Sequence, residues 1–105
     1  MNTYGKGKNK VWLRKEKVGE DLVYILGGGE RPHVGTAVVM EPGKKARVVK
    51  LGNHYDYMVL KPIAEAASKK YGRTVAAVDG VHVDNASNDE IELLVASWKE
   101  LMKCI

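Results

Sequence analysis

Three histidines carry the chemistry this sequence offers. His33 follows the run Gly27-Gly28-Gly29-Glu30-Arg31-Pro32, His54 follows Gly52-Asn53, and His82 lies in Gly80-Val81-His82-Val83-Asp84-Asn85. Each sits beside a glycine and near the end of a predicted strand, where backbones approach ligands and polar side chains gather. One such histidine reads as an ordinary hydrogen-bonded side chain; three point to a shared polar pocket. Imidazole titrates near ~6.5, so it can change its donor pattern around neutrality. His82 and Asp84 are two residues apart on a predicted strand and share a side. They can form a His–carboxylate pair, hold a ligand or, with His33 and His54, bind a metal. That spacing matches no zinc signature. Asn85 has a plain role in the turn before the last helix.

The glycine run suits an anion. Its backbone N–H groups can form a nest, with Arg31 as a two-pronged phosphate donor, and Gly28 and Gly29 permit close approach. A hairpin turn explains the same residues. The run is not a Walker loop, because no Gly-Lys-Ser/Thr follows. It is not a dinucleotide fingerprint, because a strand follows where a helix is needed. Gly35 leaves space beside His33. Nucleophile elbows and HExxH motifs are absent. The one cysteine, Cys104, lies next to the C-terminus and cannot form an internal disulfide.

These residues need a scaffold. The chain has 105 residues, 45% hydrophobic and 29% charged, with net charge +4. That size fits one domain, here residues 10–105, preceded by a disordered basic arm at 1–9. No apolar run approaches the ~20 residues that span a bilayer, and no signal-peptide core follows the N-terminus, so a cytoplasmic location is expected. The lysines at 6, 8 and 10 permit nucleic-acid contact without requiring it.

Period-two patterns predict strands at 10–18, 21–26, 33–40, 46–51 and 74–83. The second is apolar on both faces and so central; the fourth is near an edge. Residues 27–32 are expected as a loop. Helical spacing of Val59, Leu60, Ile63, Ala66, Ala67 and Tyr71 predicts a helix from about Tyr57, with Pro62 as its awkward residue. Ser87-Asn88-Asp89-Glu90 is a capping box opening a second helix, whose stripe runs Ile91, Leu94, Val95, Trp98, Leu101, Met102, Ile105. The order ββββαβα predicts an α+β fold: a mainly antiparallel five-stranded sheet with two helices on one face. The other face is apolar, and a homodimer is expected to cover it.

Several segments resemble one family. Gly28-Gly29-Glu30-Arg31-Pro32-His33-Val34-Gly35-Thr36-Ala37-Val38 looks like the GG-x-x-PH-hydrophobic-GA segment of LpdD-like prenylated-flavin chaperones. Leu51-Gly52-Asn53-His54, followed by Lys61-Pro62-Ile63-Ala64-Glu65, resembles their central histidine and helix. Gly80-Val81-His82-Val83-Asp84-Asn85-Ala86-Ser87 with Glu90-Ile91 resembles their G-hydrophobic-H-hydrophobic-DN motif. The connection 41–45 is shorter than the family's loop there, and the first strand shows no match. The resemblance implies a non-catalytic chaperone that binds reduced prenylated FMN, or FMN, and helps deliver it to a UbiD-type decarboxylase. The implied ligand contacts are Gly28, Gly29, Arg31, His33, Gly35, His54, His82, Asp84 and Asn85. Two other readings remain at this stage: a small metal-dependent enzyme using the three histidines and Asp84, and a basic nucleic-acid-binding module.

Overall fold

The computed structural model describes residues 2–30, 33–51, 57–82 and 87–105, with the side chains of residues 57, 58 and 82 left aside. Among the described residues six strands and two α-helices follow one another: β1 (Asn2–Tyr4), β2 (Val11–Val18), β3 (Asp21–Gly29), β4 (Thr36–Met40), β5 (Arg47–Lys50), α1 (Tyr57–Tyr71), β6 (Val75–His82) and α2 (Asn88–Leu101). They form one sheet in the order β1-β2-β3-β6-β4-β5. The α+β class is as expected, and four of the five pairings are antiparallel, but the sheet has six strands where five were expected and is mixed: β6 inserts between β3 and β4 and runs parallel to β3. The sixth strand, β1, pairs with β2 inside the segment expected to be a free arm, where Gly7–Asn9 also forms a 3-10 turn.

Two expected boundaries move. The glycine triplet 27–29 belongs to β3, between β2 and β6, rather than to a loop. The strand expected from His33 begins at Thr36.

Alternation along each strand decides the layers. Val11 and Leu13 of β2, Leu22, Tyr24 and Leu26 of β3, Val75 and Ala77 of β6 and Val38 of β4 point to one face and are buried. Both helices pack on that face. The α1 face is Val59, Leu60, Ile63, Ala64 and Ala67, at the i, i+3, i+4 spacing of an amphipathic helix. Pro62 falls in its second turn, on the exposed side. α2 buries Leu94, Trp98 and Leu101, with Val95, Met102 and Ile105 against the same core; Ile91, expected in that stripe, is exposed. Its start is the expected capping box: Glu90 N–H donates to Ser87 Oγ at 3.1 Å, and Ser87 N–H donates to Glu90 Oε1 at 3.4 Å. Among the described residues, the opposite face of the sheet carries no helix.

Candidate functional site at one edge of the sheet

Sheet topology gathers the ligand-handling segments. β3 and β6 are parallel and end together, Gly29 opposite His82. β4 runs against β6 and so begins at that edge, with Thr36 opposite Asp79. β5 runs against β4 and ends there, and Leu51 N–H donates to the Gly35 carbonyl at 2.9 Å. The strand ends that lead into Arg31, His54, Asp84 and Asn85 therefore share one edge. Those four residues, and the His82 side chain, lie outside the described set.

His33 and Gly35 are placed. The chain from His33 to Gly35 crosses over β6 to reach β4. Gly35 N–H donates to the Asp79 carbonyl at 2.7 Å, and a Cβ on Gly80 would fall only 1.1 Å from the His33 carbonyl oxygen. Gly80 is thus required to be bare so that the His33 backbone can rest on it. The His33 ring is exposed, two residues upstream of buried Gly35.

The glycine triplet lies against β2. A Cβ on Gly28 would lie 2.3 Å from the Lys10 carbonyl oxygen, and its φ of +146° suits glycine alone. Gly29 N–H donates to that same Lys10 carbonyl at 3.0 Å, so this donor is already engaged. A Cβ on Gly27 would lie 2.3 Å from the Trp12 ring, which covers the strand there. Close approach of β2 is what the triplet permits.

Two polar residues at this edge escaped the sequence reading. Thr36 and Asp79 are each 1% exposed, opposite one another on the helix-bearing face. Among the described residues Thr36 Oγ1 has no hydrogen-bond partner. The signal was present in Val75-Ala76-Ala77-Val78-Asp79, a carboxylate inside an apolar central strand, where burial is costly without a purpose.

The opposite edge of the sheet holds a cleft of about 450 Å³ lined by Lys15, Lys17, Gly19, Glu20, Leu22, Tyr71 and Arg73. Its cations are largely satisfied from within. Lys15 Nζ donates to Tyr71 Oη at 3.0 Å and lies 4.2 Å from that ring's centroid, and Arg73 pairs with Glu20 at 3.0 Å. The Lys15 hydrogen bond holds the Tyr71 phenol below its ordinary value.

The N-terminal lysines are also partly engaged: Lys8 Nζ lies 3.0 Å from Glu90 Oε2. Among the described residues, no three His, Cys, Asp or Glu side chains are grouped to hold a metal, and no helix is long and apolar enough to cross a membrane. All but one of the residues in the metal reading fall outside that set.

A family model described as the prenylated flavin chaperone LpdD-like domain matches residues 5–105. The chain belongs to this family. Membership makes it a chaperone, a binding protein rather than an enzyme, and its ligand class is prenylated flavin. The match reaches back to residue 5, ahead of β2, where the sequence resemblance had found nothing. No curated protein matches the chain.

Proposed function

We propose that the chain binds reduced prenylated FMN at the edge where β3, β5 and β6 end and β4 begins, and passes it to an apo-decarboxylase of the UbiD type. The supporting observation is topological. Segments separated by some fifty residues of sequence, carrying Arg31, His33, His54, His82 and Asp84, all start from strand ends on that edge.

Each residue has a role that follows from its chemistry. Arg31 takes the phosphate, because guanidinium offers two parallel charge-assisted bonds and keeps its charge. With the Gly29 N–H engaged by Lys10, the phosphate depends on Arg31 more than on a backbone nest. His33, His54 and His82 bond the polar rim of the ring system or the ribityl chain. Asp84 orients His82 and fixes its tautomer, and Asn85 completes that turn. Gly28, Gly29 and Gly35 keep the wall of the site thin.

Anaerobic titration with FMN and with reduced prenylated FMN tests this reading. Saturable binding is expected, and Arg31→Ala and His82→Ala should each weaken it by on the order of 1.5–3 kcal/mol, the worth of a charge-assisted hydrogen bond, while the fold is retained. No binding of either flavin at high micromolar protein sinks the proposal.

A further inference from the structure

We propose that Trp12 is the aromatic wall on which the flavin's isoalloxazine ring stacks, on the helix-free face beside the His33 crossing; this rests on the flavin-binding reading above.

Three strands align one row of residues on that face. Trp12 of β2 is opposite Gly27 of β3, and Gly27 is opposite Gly80 of β6. The Trp12 ring lies over Gly27, and the His33 backbone lies over Gly80. The indole and the His33 segment are therefore next-door neighbours at the ligand edge, although 21 positions separate them in sequence. Two bare glycines make this possible, since a side chain at either position would push its cover away.

One residue pair further from the edge, on the same face, Ile25 is opposite Val78. Both are partly exposed, as is Trp12. The row thus offers an aromatic plane with an apolar floor behind it and the exposed His33 beside it. A prenylated flavin has the matching layout: a flat conjugated ring, an added apolar ring, and a polar chain ending in phosphate. Flat aromatic rings stack offset at centroid separations of about 4.5–7 Å, and an indole already seated on its strand gives up little freedom on binding.

The other described aromatic side chains are less suited. Tyr24 and Trp98 are buried in the core. Tyr71 stands at the opposite edge, held by Lys15. Tyr4, on β1, is opposite Val11 on the helix-bearing side.

The chain has two tryptophans, which makes the test direct. In a ¹⁵N-labelled sample two indole N–H signals appear, assigned with Trp12→Phe and Trp98→Phe. Adding reduced prenylated FMN anaerobically should shift the Trp12 signal strongly and leave Trp98 in place. Trp12→Ala should weaken binding about tenfold, with Trp12→Phe retaining most of it, as expected for a stacking contact. Binding that leaves the Trp12 signal unmoved, or a Trp12→Ala variant that binds like the parent, overturns the stacking role while the flavin reading stands. Absence of any binding to the parent protein overturns both.

Discussion

At the scale of single residues, the site depends as much on missing side chains as on those present. Gly80 is the clearest case, because its would-be Cβ overlaps a backbone carbonyl that has no rotamer with which to move. Gly80→Ala should cost about 3 kcal/mol, the upper end for overpacking, and lower Tm by on the order of 15 °C in calorimetry. Gly43 provides the contrast. It has a positive φ of 73° but nothing within 4 Å of a would-be Cβ, so Gly43→Ala should cost about 1 kcal/mol of backbone strain alone. Equal losses at the two positions would mean that the His33 crossing does not rest on Gly80. The strand ends at this edge were legible in the sequence to within a few residues, because glycine, histidine and Asp-Asn mark strand ends by local rules. Trp12 was not: an aromatic residue in an amphipathic strand reads equally as core, and only the register of β2 on β3 puts it over Gly27. Asp79 was passed over for a similar reason, since its burial opposite Thr36 depends on a pairing between β4 and β6 that no local pattern encodes.

Among the elements, helices were easier to read than the sheet. The capping box of α2 involves residues three apart, so Ser87 and Glu90 announce it locally. The partners of β6 do not announce themselves. Its apolar run fits a central strand of either direction, and it runs parallel to β3 because α1 carries the chain from the end of β5 back to the start of β6. β1 has three exposed residues and no apolar signal; it exists because β2 offers an unpaired edge and because Lys8, just beyond it, pairs with Glu90. That pair makes the joint between the N-terminal segment and α2 sensitive to pH. The Lys8 ammonium first, and then the Ser87 backbone, hold the Glu90 carboxyl below its ordinary 4.5. A depressed carboxyl stabilises the fold fully above about 4.5 and loses that contribution as pH falls through its lower folded value. Lys8 is raised above 10.5 by the same partner, so its share is present below that value and lost as pH rises through the higher one. Urea unfolding across a pH series should show an acid-side decline that flattens in Glu90→Gln. An unchanged acid limb in that variant would show that the pair does not hold the N-terminal segment. Ser87→Ala should separately cost about 1 kcal/mol through loss of the cap.

The molecule as a whole is a slab of 38 × 26 × 18 Å, with a Cα radius of gyration of 13.1 Å, close to the ~13 Å of a compact chain this long. Its short dimension holds two layers, one sheet and one helix layer, and among the described residues the second sheet face carries the His33 crossing but no helix. The two halves of that face differ. On the β2–β3 side the Trp12 ring and Ile25 are partly buried by their neighbours. On the β4–β5 side Val39 is 43% exposed and Val49 60%, and β5 is an outer strand with all four residues exposed. Adjacent valines left wet beside an unpaired strand edge call for a partner surface. A second copy meeting the first through β4 and β5 would cover them and leave the Trp12 side free for ligand. Light scattering at tens of micromolar should therefore report a dimer, with an interface above about 1,000 Å² in total. Val49→Glu should convert it to a monomer, because the new carboxylate would be buried unpaired at the contact. The same variant should bind reduced prenylated FMN like the parent, since Val49 lies three strands from Gly27. A parent protein that is monomeric at that concentration refutes the dimer. A dimeric parent whose Val49→Glu variant loses flavin binding together with the dimer would place the ligand across the subunit boundary, and the separation of the face into a binding half and an assembly half would be wrong.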